Sequence, residues 1–151
     1  AVRRALAHGD VSRAEILLGR PFKLHGVVSP GEGIGRKMGF PTANLDVDQD
    51  LVVPYEGVYA TWLSLNGRWW QSATSVGTRS TFGLGAQVVE SYILDFDGDL
   101  YGESVDLEFV RWIRGQQRFD NPDELVTEMQ RDVEKIRFIL AENNVVGGFG
   151  N

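Results

Sequence analysis

Between Phe22 and Trp112, short segments rich in Val, Tyr, Trp, Leu and Thr are separated by turn residues. This pattern predicts strands rather than helices. Asn66-Gly67 lies between two such segments and predicts a two-residue hairpin of type I′. Asp97-Gly98 gives the same signal between Ile93-Leu94 and the segment from Val105 to Trp112. Many short strands with tight turns predict a mainly β fold, an antiparallel barrel or sandwich. At both ends the period changes. In residues 1 to 18 the apolar positions include Ala5, Leu6, Ala14, Leu17 and Leu18, which predicts helix. Gly9-Asp10 is a break followed by an N-cap, and Gly19 and Pro21 close the region. A second helix begins at Asn121, with Pro122 at its first position and Glu124 placed for a capping box. Leu125, Met129, Val133, Ile136 and Leu140 then recur at helical spacing and are predicted to pack against the β region.

The strand from Val88 to Phe96 carries the first candidate for chemistry. With period two, Val88, Glu90, Tyr92, Leu94 and Phe96 share one face, and Val89, Ser91, Ile93 and Asp95 the other. Glu90 is thus expected on the more apolar, buried face. A carboxylate there is costly unless hydrogen-bonded or lining a pocket. Desolvation would suit it to act as a general base; the plainer reading is a Glu at a barrel mouth that reaches solvent.

Composition narrows the function classes. A chain of 151 residues is most simply one domain with a core of its own. The net charge of −6 argues against a nucleic-acid-binding surface but not against a nucleotide, whose phosphates need only a local basic site. Absence of cysteine excludes disulfides, thiolate metal sites and Cys nucleophiles. His8 and His25 are far apart in sequence, which argues against a zinc site or a His-based triad. No apolar run is long enough to span a membrane and no signal peptide is evident, so a cytoplasmic location is expected. Asp46, Asp48 and Asp50 alternate, but Leu51-Val52-Val53 follows, without the Gly and late Glu of a calcium loop. The chain opens inside a helical pattern, without an initiator methionine. Residues 1–18 are therefore expected to be a helical remnant or linker from an upstream domain, the alternative being a self-contained cap. Residues 19–142 are expected to form one domain and 143–151 a flexible tail.

The densest cluster of chemistry runs from Gly31 to Asn44. Gly33, Gly35 and Gly39 let the backbone turn and approach a ligand. Arg36 and Lys37 add positive charge, and Pro41-Thr42-Ala43-Asn44 follows. On an extended segment Thr42 and Asn44 point the same way, and their oxygens suit a hard cation or a phosphate. The spacing G-x-G-x-x-x-G matches neither the dinucleotide fingerprint nor a P-loop. Read alone, the glycines fit a flexible connection as well as a phosphate loop.

Gly39-Phe40-Pro41-Thr42-Ala43-Asn44 resembles the signature of riboflavin kinases, including the kinase module of bacterial bifunctional riboflavin kinase/FMN adenylyltransferases. Further similar segments follow in order: Gly57-Val58-Tyr59, Gly77-Thr78-Arg79, Glu90 to Phe96, Gly98 to Gly102, and Arg114 to Phe119. The resemblance runs from about Leu18 to about Leu140 and implies a small Greek-key barrel, with riboflavin and ATP as substrates, FMN as product and Mg²⁺ required. It implies that Thr42 and Asn44 hold Mg²⁺ and the ATP phosphates. It further implies that the loop Gly33 to Gly39, with Arg36, Lys37 and Pro41, covers the nucleotide, and that Glu90 activates the ribityl 5′-hydroxyl. Arg114, Phe119 and Trp112 fall on the flavin side. An adenylyltransferase domain is the implied partner in the full-length chain.

One segment departs from the family. Its usual Asn-Ile-Gly-Thr-x-Pro-Thr stretch is Ser75-Val76-Gly77-Thr78-Arg79-Ser80-Thr81 here, so Ser75 and Ser80 replace an Asn and a Pro. The rival readings are a barrel that binds a flavin or nucleotide without turnover, and a regulatory domain of a larger enzyme.

Overall fold

In the computed structural model, residues 1–29, 42–47, 53–79, 86–96, 98 and 100–142 are described. Two short helices come first, α1 (Val2–Ala7) and α2 (Val11–Leu18). Six strands follow: β1 (Phe22–Ser29), β2 (Thr42–Asp46), β3 (Gly57–Leu65), β4 (Arg68–Arg79), β5 (Ala86–Ile93) and β6 (Ser104–Arg114). The last element is α3 (Pro122–Glu142). The strands form a closed barrel in the order β1-β2-β5-β4-β3-β6, every pair antiparallel.

Local signals explain the connections that are local. Asn66 and Gly67 both have positive φ, 53° and 80°, as a type I′ turn requires. Asp10 caps α2 by accepting from the Arg13 N–H, and Gly19 ends it in the left-handed region. At α3, Asn121 Oδ1 accepts from the Glu124 N–H, and Glu124 Oε2 accepts in return from the Asp120 N–H, one residue before the expected partner. The hairpin expected at Asp97-Gly98 is not present, because β5 and β6 are not neighbours. Asp95 turns with φ 58° and Phe96 tucks edge-on against Trp70. The chain then crosses to the far wall, where Gly102 N–H donates to Val28 O and Val28 N–H to Glu103 O. A turn dipeptide sets the turn, not which strand the chain joins next.

The pleat divides the barrel into two cores. Inward side chains Leu24, Val28, Leu45, Tyr59, Leu63, Val76, Val89, Ile93, Val105, Leu107 and Phe109 fill the interior. Leu6, Val11 and Ala14 join the same cluster, so α1 and α2 pack as part of the barrel's core. The Tyr55 N–H donates to Leu6 O, tying α1 to the entrance of β3. Also buried are Thr61, Ser72, Thr74 and Ser91, whose hydroxyls bond one another in a chain across β3, β4 and β5. On the outside, Ile136 and Leu140 of α3 cover Ala60, Trp62, Leu94 and Val110, with Ala73 and Tyr92 at the margin.

Glu108 is the exception on the outer wall. It is 4% exposed, its Oε2 lies 3.9 Å from Lys23 Nζ, and its Oε1 has no hydrogen-bond partner among the described residues. Burial pushes its carboxyl above the ordinary value; Lys23 opposes this, while Glu15 and Asp106 add to it. A folded-state pKa above the unfolded one means that ionisation opposes folding. The penalty is absent below the unfolded pKa and complete above the folded one. Glu108→Gln is therefore expected to melt at a higher temperature than the wild type at neutral pH. The two should converge below about pH 4, as thermal melts across that range would test.

Candidate functional site

The strand registers place four polar side chains in one row on the outer wall. Ser29 of β1 faces Asn44 of β2, Asn44 faces Glu90 of β5, and Glu90 faces Ser75 of β4. The interior takes the alternate residues, with Leu45, Val76 and Val89 all buried. This reverses the face expected for Glu90. Val89, Ser91 and Ile93 point inward, while Glu90 is half-buried on the outer wall. The cause is that both faces of this segment are apolar: Tyr92 and Leu94 are apolar because α3 covers them, not because they line the interior.

Thr42 is paired with Tyr92, one diagonal step from Glu90. Its Oγ1 donates a long hydrogen bond, 3.4 Å, to Glu90 Oε2. Asn44 Nδ2 donates to Ser29 Oγ at 3.1 Å, and Ser29 Oγ donates to Asp46 Oδ1 at 3.1 Å. Thr42, Asn44 and Glu90 are thus brought together on one half-buried patch. Their donors are one hydroxyl, one amide and one carboxylate. Among the described residues there is no cluster of three His, Asp or Glu side chains able to hold a metal by itself. Two neutral oxygens beside a carboxylate fit Mg²⁺, which usually keeps waters and takes substrate phosphate oxygens for the rest of its shell.

The connector after β6 borders the same row. Gln116 Nε2 donates to Ser75 Oγ at 2.8 Å and to Val76 O at 2.9 Å. Arg114 is engaged with α3: its Nε and Nη2 hold both oxygens of Asp132 at 2.8–3.1 Å. Its guanidinium also stands 5.9 Å from the Phe119 ring centre, within cation–π range. Trp112 turns elsewhere. Its Nε1 donates to Glu56 O at 3.4 Å, and its ring lies against Gly9 and Gly57, where an added Cβ at Gly57 would come within 2.3 Å of Nε1. The structure therefore brings Arg114 and Phe119 together, while Trp112, 41% exposed, lies against Gly9 and Gly57 and near Gly115. The expected nucleotide-loop residues Gly33, Gly35, Arg36, Lys37, Gly39 and Pro41 lie outside the described residues, as do Asp48, Asp50, Ser80 and the tail from 143.

Residues 18–140 match the family model for flavokinase, described as riboflavin kinase. The chain belongs to the riboflavin kinase family. A bifunctional riboflavin kinase/FMN adenylyltransferase of Listeria monocytogenes is 34% identical over 142 residues, covering 93% of this chain and 45% of that protein. The enzyme of the same name from Escherichia coli K12 is 41% identical over 133 residues, covering 87% of this chain and 42% of that protein. The chain thus spans a little under half the length of these relatives. Among solved structures, riboflavin kinase from Trypanosoma brucei superposes with a TM-score of 0.61 at 29% identity, over 81% of each chain. A Streptococcus pneumoniae chain described as a macrolide-efflux protein superposes at 0.87 and 35% identity, over 90% of this chain and 45% of that one. That description stands apart from the kinase names. Among the described residues no helix is long and apolar enough to cross a membrane.

Two residues that hold or border these side chains, Asp132 and Ser29, were not singled out from sequence. Asp132 had a usable signal, since a charge at that position interrupts the apolar stripe Met129–Ile136. Ser29 had none, because its partner is set by a barrel register rather than by local spacing; Gln116 falls in the segment Arg114 to Phe119 that the resemblance covers, but its partners Ser75 and Val76 are not readable from spacing.

Proposed function

We propose that this chain transfers the γ-phosphate of ATP to the 5′-hydroxyl of riboflavin, giving FMN and ADP. The observation that carries the reading is the convergence of Thr42, Asn44 and Glu90 on one outer patch within the family match. In this reading Glu90 takes the proton of the riboflavin 5′-hydroxyl as its oxygen attacks the γ-phosphorus, and the β–γ bridging oxygen leaves with ADP. Thr42 and Asn44 hold the nucleotide end and supply oxygens to Mg²⁺, which offsets the charge of the triphosphate. A Thr hydroxyl can present its oxygen to a cation while donating its hydrogen to Glu90, so the Thr42–Glu90 contact is compatible with both roles. The connector carrying Gln116 and Phe119 borders the flavin side. The setting is the cytoplasm, and the partner in the full-length protein is an adenylyltransferase domain.

The purified chain, given riboflavin, ATP and Mg²⁺, is expected to produce FMN. It is expected to produce no FAD, since that would take a second nucleotidyl-transfer site. Replacing Thr42 and Asn44 together with Ala should raise the KM for ATP far more than it lowers the melting temperature. Riboflavin binding without FMN formation by the wild type would identify a non-catalytic barrel. An unchanged ATP dependence in the double variant would remove those two residues from the site.

A further inference from the structure

Asn44 has two acceptors within its reach. On the β5 side stands the Glu90 carboxylate, its register partner; on the β1 side stands the Ser29 hydroxyl, also a register partner. An amide NH₂ left to itself would be drawn to the carboxylate, because hydrogen bonds to an ionised acceptor are the stronger kind. In the structure it turns the other way, and Nδ2 donates to Ser29 Oγ at 3.1 Å. The reason lies one step further out. Ser29 donates its own hydrogen to Asp46 Oδ1 at 3.1 Å, with the Asn44 main-chain carbonyl a longer alternative at 3.4 Å. In either case the lone pairs of Ser29 are left to accept. Asp46 is one diagonal step along β2 and shares the outer face. The relay therefore runs Asn44 N–H to Ser29 O–H to the Asp46 carboxylate, the nearer of the two acceptors open to Ser29.

We infer that Ser29 and Asp46 are positioning residues that fix the amide of Asn44 with Oδ1 toward β5. Resting on the kinase reading above, this keeps the Asn44 oxygen available to Mg²⁺ and keeps its NH₂ off the Glu90 base. Without the relay the amide would be free to turn over, presenting its NH₂ instead of its oxygen toward Glu90 and toward a cation held there. Residues that orient a metal ligand in this way typically change metal affinity or activity by about 10–100-fold when removed.

The test is calorimetric binding of Mg–ADP to the whole chain, with FMN formation measured alongside. Ser29→Ala is expected to weaken Mg–ADP binding by about tenfold or more, with riboflavin KM nearly unchanged. Ser29→Thr, which keeps the hydroxyl, is expected to bind like the wild type. In an Asn44→Ala background, Ser29→Ala should have no further effect, because the amide it orients is gone. Unchanged Mg–ADP binding by Ser29→Ala, in a wild type that binds Mg–ADP and makes FMN, overturns the relay and leaves the kinase reading standing. An equal loss with and without Asn44 also overturns it, since the effect then does not pass through Asn44. A wild type that neither binds Mg–ADP nor makes FMN overturns both.

Discussion

Glu90→Gln is expected to bind riboflavin and ATP much as the wild type does and to turn over about 10²–10⁴ times more slowly. Gln keeps the length of the side chain and one oxygen able to accept from Thr42, so the 3.4 Å contact can persist. What it loses is the ability to accept the proton of the attacking hydroxyl. Because Glu90 is half-buried on the outer wall rather than set in the interior, the substitution removes no core contact, and the melting temperature should move little. Steady-state kinetics on both substrates, with a thermal melt, separates the outcomes. Turnover near that of the wild type would remove Glu90 as the base. Loss of folding would make it a structural residue.

Asp132→Ala is expected to cost about 3–5 kcal/mol of stability, because it leaves the Arg114 guanidinium buried without its counter-charge. The pair is well enclosed: the side chains are 16% and 6% exposed, and the contact is bidentate. Arg137 and Asp95 form a similar fork at 46% and 69% exposure, where solvent screens the charges and loss of either partner should matter little. Replacing both members of the buried pair with apolar residues of similar size, Arg114→Met with Asp132→Leu, should recover much of the loss. Urea unfolding of the single and double variants tests this. The single variant should also raise the riboflavin KM, since Arg114 anchors the start of the connector that carries Gln116 and Phe119.

The local parts of this fold were readable from the chain. Asn66-Gly67 defines a turn whose two φ values it alone determines, and Asn121 to Glu124 caps a helix with contacts three residues apart. The antiparallel barrel expected from the many short strands and the family resemblance is present, but which strands close it was not readable from local signals, because β1 meets β6 and β2 meets β5 across long stretches of sequence. The face of Glu90 was misread for a related reason. An apolar side chain on a strand reports that something covers it, not what the cover is. Tyr92 and Leu94 are covered by α3, and Ser91 is buried despite its hydroxyl because Thr74 satisfies it. At the site, Thr42, Asn44 and Glu90 stood out by residue type and by resemblance. Asp132, Gln116 and Ser29 matter through partners 18, 40 or 41, and 15 residues away, beyond what periodicity conveys.

The filled interior has a consequence for how such a protein can change. Since side chains occupy the barrel's centre, Thr42, Asn44 and Glu90 stand on the outer wall, on strand positions that alternate with the packed ones. Neighbouring residues along β2 and β5 therefore answer to different demands, Leu45 and Val89 to packing, Asn44 and Glu90, in the proposed reading, to ligands. A substitution at an outward position such as Ser75, where the family usually has Asn, can alter recognition while the interior stays intact. The pleat lets outward positions be changed while the packed interior is kept, and it tells a protein engineer which alternate residues to vary.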